Sequence, residues 1–320
     1  MLKIFRTDIT LQIVIVIAVL VAMWLPGILQ PVESYAADGG CLYLWLTGWL
    51  SPTAANIVGM ALTLLGGILL VAMLHRSKMI HQGTFLPMLF FVVAMSLGRD
   101  HTTLTPFLLG SFFMIGCVGQ LMITSTLLSP TLDKIFLAAA LLSTATLFCT
   151  SMVVFLVPLM LCMFNYSLYT WRDWTMILLG IIAPYIPIEV YHLLSGRLFY
   201  ENYLLYYQFT TLHFQWTAQA TAWVMSLVFL LLLLVAWGKT AAIAQSSVVN
   251  FTKNTTAISI FLIGSILFGA YHTLIPLATP AYALPFAFAC TTFFYDPKKK
   301  EWLWDLLLVV ILAAAIAYNL

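Results

Sequence analysis

An all-α bundle of transmembrane helices is the fold class this chain predicts, and three observations predict it. Hydrophobic residues fill 63% of the 320 positions and charged ones only 8%, more apolar surface than a soluble core can bury. About eleven apolar runs divide the chain, near residues 9 to 29, 53 to 74, 84 to 98, 104 to 127, 134 to 148, 150 to 168, 174 to 195, 217 to 237, 255 to 274, 277 to 294 and 302 to 318. Laid out as alternating crossings from a cytoplasmic N-terminus, they put Lys3, Arg6, Arg76, Lys78, Lys134, Arg172, Lys239, Lys253, Lys298, Lys299 and Lys300 inside. Only Arg99 and Arg197 fall outside, the asymmetry that the positive-inside rule requires.

In lipid a backbone must satisfy its own hydrogen bonds, so segments of roughly 20 apolar residues cross as helices. The first run follows Lys3 and Arg6. Ser34 and Ala36 would suit signal cleavage, but the run is long for that role and predicts an uncleaved anchor. In the second, Ala55, Gly59, Thr63 and Gly67 recur every fourth residue and predict close helix packing. The runs at 84 to 98 and 134 to 148 are short for a full crossing, so tilt or re-entry can change the count by one or two. The seventh opens on Trp171-Arg172-Asp173-Trp174, read as an interfacial anchor at the inner face.

That seventh run also holds Pro184, Pro187, Glu189 and His192. Two prolines bend a helix and free carbonyls, and an acid in the membrane is tolerated facing a cavity or a partner. Glu189 and His192 are therefore candidates for a cavity wall, with a neutral Glu189 tying helices together as the equal alternative. The acids around Lys298 to Lys300, Asp296 and Glu301, complete an inner topology lock. Asn250 and Asn254 match the glycosylation pattern but fall inside, which predicts no modification. The five cysteines show neither metal spacing nor a disulfide framework and read as packing residues. Residues 1 to 320 read as one membrane domain.

The outer side carries the unusual chemistry. Two of its segments are too long for turns. Residues 196 to 216 are aromatic throughout, with Tyr200, Tyr203 and Tyr207 on one helical face, and residues 41 to 50 read Cys-Leu-Tyr-Leu-Trp-Leu-Thr-Gly-Trp-Leu. Both predict helices lying in the interface plane. Around them come Glu33, Asp38, the turn Gly98-Arg99-Asp100-His101-Thr102-Thr103, then Arg197, Glu201, His213, Tyr271 and His272. Cations beside carboxylates at a wet interface suit a phosphate-bearing headgroup, with a carboxylate as base toward a hydroxyl. No P-loop, zinc helix or nucleophile elbow is present, and no basic patch suits nucleic acid.

The stretch from Pro158 to Tyr191, with its Trp171-Arg172-Asp173-Trp174 turn and a helix ending in Gly, Pro and Tyr, resembles an uncharacterised family of polytopic bacterial inner-membrane proteins. Phe85-Leu-Pro87 and Thr105-Pro-Phe-Leu-Leu109 extend the resemblance, which implies no activity. More loosely, an odd helix number, an inner N-terminus and an acidic first outer loop are similar to the C-type glycosyltransferases that use polyprenyl-phosphate sugars. That likeness implies Asp38 or Glu33 as the catalytic carboxylate and Asp100 as a second acid. The first loop lacks the paired Asp-Glu of those enzymes, and no large outer domain follows.

The sequence thus leaves three functions open. One is transfer of a sugar from a polyprenyl phosphate, with Arg99, His101, Glu189, His192, Arg197, Glu201 and His213 binding substrate. The others are a non-enzymatic subunit or assembly factor bound to other membrane subunits, and a transporter or flippase with Glu189 on the path. Membrane lipids are expected partners and nucleic acid is not. No organic cofactor is expected; a divalent cation is the one addition the outer acids leave open. The setting is the bacterial inner membrane, with Leu320 outside.

Overall fold

The computed structural model describes residues 9–29, 39–80, 83–97, 102–126, 132–194, 220–245, 247–272, 280–295 and 301–319. Every apolar run picked out above holds helix. In order these are α1 (Ile9–Leu29), the short α2 (Cys41–Thr47), α3 (Pro52–Arg76), α4 (Leu86–Met95), α5 (Pro106–Thr126), α6 (Leu132–Phe148) and α7 (Leu156–Asn165). They continue as α8 (Trp171–Ile182), α9 (Tyr185–Leu194), α10 (Ala220–Gln245), α11 (Val249–His272), α12 (Ala283–Tyr295) and α13 (Glu301–Asn319). Turns of 3-10 helix, Thr150–Phe155 and Pro280–Tyr282, lead into α7 and α12. Six of the described helices are long and apolar enough to cross a membrane, α8 and α9 together counting as one.

The short run at 84 to 98 is explained by where α4 sits. Leu86 to Val93 and Met95 are all buried, so α4 shows almost no surface to lipid and its ten residues need not reach across the bilayer. It is the core helix around which α1, α3 and α12 pack. Phe90 meets Phe286 and Phe294 of α12 with ring centroids 6.0 Å and 5.3 Å apart.

The stripe of small residues on α3 is used inside the chain. A Cβ on Gly59 would meet the Trp24 ring, one on Gly66 the Phe91 ring and one on Gly67 the Met88 side chain. Small residues here let helices approach closely, as apolar packing between membrane helices demands.

Contacts at the helix ends fix their directions. At one end, the Gln12 amide donates to the Gly83 carbonyl (3.2 Å) and accepts from the Phe85 N–H (2.8 Å), so a buried glutamine in an apolar helix is satisfied on both sides. At that level Asn165 donates to the Lys253 carbonyl (2.8 Å), Tyr166 donates to Asn254 (3.0 Å) and Lys239 donates to the Phe293 carbonyl (2.7 Å). Arg76, Lys78, Lys134 and Arg172 lie on helix ends that the alternation brings to the same level, so all six described Lys and Arg residues share it.

At the opposite end, Asn56 donates to the Gly27 carbonyl (2.8 Å), Tyr43 to the Leu104 carbonyl (2.9 Å) and Asn319 to the Ser96 carbonyl (2.6 Å). Trp24 donates to the Ser96 hydroxyl (2.8 Å). The alternating directions expected from charge are therefore those in which the helices pack.

The Trp171 to Trp174 turn has a local cause that its role as an anchor does not supply. Asp173 is buried and closes a capping box: it accepts from the Thr170 N–H (3.0 Å), while the Thr170 hydroxyl accepts from the Asp173 N–H (3.3 Å). Trp171 is left exposed at the rim, as an anchor requires, and Trp174 packs on Phe164.

Candidate substrate site at the end away from the cations

The short α2 lies across the ends of α5 and α6. Tyr43 is buried and tied to Leu104; the Gly40 N–H donates to the Phe148 carbonyl (2.9 Å), and Gly39 pairs with Cys149 in an isolated antiparallel bridge. Trp45 and Trp49 point away from the protein, 68% and 83% exposed, where indoles favour a membrane interface. The short helix expected over residues 41 to 50 is present as Cys41–Thr47.

α9 reaches the same place from the other side. Ala183 and Pro184 separate it from α8, and its first residue, Tyr185, shares a hydrogen bond with Thr146 on the last turn of α6 (2.6 Å). Glu189 follows one turn later on the face that carries Tyr185. Around it α9 is apolar and open, with Ile186, Val190 and Leu193 exposed. Glu189 itself is half-buried, and its Oε1 is shielded from solvent without a hydrogen-bond partner. A shielded polar oxygen left unpaired costs about 1–3 kcal/mol, so water or a bound group is expected to complete it.

Cys41, next to the Gly40 anchor, is close enough to feel the Glu189 charge. Burial pushes its thiol up, backbone hydrogen bonds at Leu42 and Cys41 pull it down, and Glu189 adds a smaller upward push. The other four cysteines are buried, as packing residues should be. A membrane-impermeant maleimide applied from the side bearing α2 is expected to label Cys41 alone. Labelling should be slow near neutral pH and should accelerate only above the ordinary thiol range, because the thiolate reacts. Labelling from the cation-bearing side instead, or a rate already maximal at pH 7, contradicts this placement.

Glu189 is thus brought together with Tyr185, Thr146 and Cys41, none of which was a candidate from sequence. Glu33, Asp38, Arg99, Asp100, His101, Arg197, Glu201 and His213 lie outside the described residues, as does the helix expected over 196 to 216. The side chains of His192, Tyr271 and His272 lie outside them too. Among the described residues no group of three or more His, Cys, Asp or Glu side chains could hold a metal ion, so the divalent cation has no ligand set there.

The fold defines a polytopic α-helical membrane protein. Compared with protein-family models, curated proteins and solved structures, the chain matches none. The likenesses drawn from its motifs therefore rest on those motifs alone.

Proposed function

We propose that the chain is a multi-pass protein of the bacterial inner membrane, with its cation-bearing end in the cytoplasm, whose outward-facing site holds the polar head of an amphipathic or lipid-linked substrate. The observation that carries this reading is the unpaired, shielded Oε1 of Glu189, on a proline-broken helix beside the indole-bearing α2. A polar group in that position, next to side chains open to lipid, can meet a headgroup whose tail stays in the bilayer. The specific form of the proposal is transfer of a sugar from a polyprenyl phosphate. In it Asp38 or Glu33 acts as base, Arg99, Arg197 and His213 contact the phosphate, and Glu189 orients the headgroup.

The second reading is a subunit or assembly factor that binds partners through small-residue helix faces and the Trp171 to Trp174 turn: Gly59, Gly66 and Gly67 are covered from within the chain, while Trp171 is exposed.

In a deletion strain the profile of lipid-linked glycans is expected to change, with accumulation of an unmodified acceptor or donor. Wild-type protein should restore it, and Glu189→Gln should restore about tenfold less, the effect of losing one hydrogen bond to a charged acceptor. An unchanged profile in the deletion strain would sink the sugar-transfer reading.

A further inference from the structure

Two stretches of the chain repeat each other at a fixed spacing of 198 residues, without a gap, over residues 52 to 96 and 250 to 294. Asn56, Gly66, Ile68, Leu69 and Ala72 return as Asn254, Gly264, Ile266, Leu267 and Ala270, and Leu86, Pro87 and Phe90 return as Leu284, Pro285 and Phe288. The structure repeats with them. Shifted by 198 residues, the bounds of α3 and α4 fall within two residues of those of α11 and α12. Each pair has a preceding helix packed on both members, α1 in the first unit and α10 in the second. That helix also ties off the short one near its C-terminus: Trp24 donates to the Ser96 hydroxyl, and Lys239 to the Phe293 carbonyl. The directions are opposite. α3 starts at the end away from the cations, where Asn56 meets Gly27, and α11 starts among them, where Asn165 meets Lys253.

Phe90, at the middle of α4, meets Phe286 and Phe294 on either side of the middle of α12. The short helices therefore cross at their midpoints, as units related by a two-fold axis in the membrane plane must. We infer that the two stretches are inverted repeats of one unit, and that the protein carries a membrane lipid between leaflets by opening the seam between the units to one side and then the other. Exchanging the conformations of two inverted units turns the assembly over at little cost in energy, so a seam open to one leaflet becomes open to the opposite one. The units already differ in this way. A Cβ on Gly66 would meet the Phe91 ring of α4, whereas one on Gly264 would meet Phe155 and Pro158, so α3 lies along its own short helix while α11 leans on α7. The cargo follows from the seam: α4 and α12 hold no Asp, Glu, Lys, Arg or His, and the Thr291 and Thr292 hydroxyls donate to carbonyls of their own helix. Such a seam cannot replace the water around a polar solute, but it can border the apolar body of a lipid whose tail stays in the bilayer. Glu189 lies outside both units, so this activity stands apart from the site proposed above.

The test uses the full-length protein in liposomes of phosphatidylcholine and phosphatidylglycerol that carry a tail-labelled fluorescent phosphatidylglycerol. Dithionite added outside bleaches the outer leaflet of protein-free vesicles and stops there; with the protein, bleaching is expected to run on towards completion. Two pairs of exposed positions exchange under the 198-residue shift, Pro52 with Leu267 and Leu69 with Asn250. Spin labels on Pro52→Cys with Leu267→Cys, and on Leu69→Cys with Asn250→Cys, are placed in a Cys41→Ala background, the other four native cysteines being buried. Each pair should give two distances in the same liposomes, because both arrangements are populated. A rigid linker across either pair should slow the bleaching of the inner leaflet by about tenfold, the effect of removing one of the two arrangements. Bleaching that stops at the outer leaflet, a single distance in both pairs, or flipping unaffected by either linker overturns the inference. If the cysteine variants fail to fold, bleaching by the wild-type protein decides alone. Glu189→Gln should leave flipping unchanged, so loss of the glycan phenotype in that variant and loss of flipping are read separately.

Discussion

Gly180→Val is expected to abolish accumulation of folded protein, or to lower its melting midpoint in detergent by more than any other change considered. α6 and α8 run side by side in the same direction, and the Ser143 hydroxyl donates to the Ile181 carbonyl (2.6 Å) where they touch. A Cβ on Gly180 would come within 2.5 Å of the Phe136 carbonyl and 2.8 Å of the Ala139 Cβ, and neither can rotate away. Backbone must move, and overpacking of this kind costs about 3 kcal/mol. The separation also breaks the Ser143 bond and strains the Thr146 to Tyr185 bond, so the damage reaches the Glu189 site. Gly238→Val is the control, because nothing lies within 4 Å of its Cβ position. Equal melting midpoints for the two variants would show that α6 and α8 are not in backbone contact.

The second large effect is local. A Cβ on Gly40 would collide with the peptide joining Leu147 to Phe148, which is backbone and cannot rotate away. Gly40→Val should therefore break the Gly40 to Phe148 bond and the bridge to Cys149, and free the start of α2. Cys41 then gains solvent, and its maleimide labelling rate should rise roughly tenfold, the change produced by losing about 1.4 kcal/mol of local protection. The melting midpoint should move much less than in Gly180→Val, since α2 covers the bundle's end without forming its core. A labelling rate equal to wild type would mean that α2 is held by Tyr43 alone.

Much of this architecture was legible because hydropathy and charge act locally. Each apolar run became helix, and the charge rule gave the directions in which Gln12 meets Gly83 and Asn319 meets Ser96. Glu189 stood out as an acid between prolines in an apolar run. Its surroundings did not, because Cys41 and Thr146 come to it only through contacts between segments distant in the chain, which leave no periodicity to read. The same holds for Gly40 and Gly180: what makes a glycine irreplaceable is the neighbouring backbone. Asp173 could have been found, since Thr170-x-x-Asp173 before an apolar run is the pattern of a capping box.

The knot formed by Asn319, Ser96, Trp24 and Met23 has a temporal meaning. Asn319 donates to carbonyls 223 and 296 residues earlier in the chain. During synthesis α1 and α4 are in place long before α13 exists, so the Ser96 carbonyl must wait without this donor until α13 inserts. Contacts of such span form late, after the loops between them are already closed. The clasp therefore ties the start of the bundle to a helix made much later: a chain stalled before α13 holds the Ser96 carbonyl without this donor.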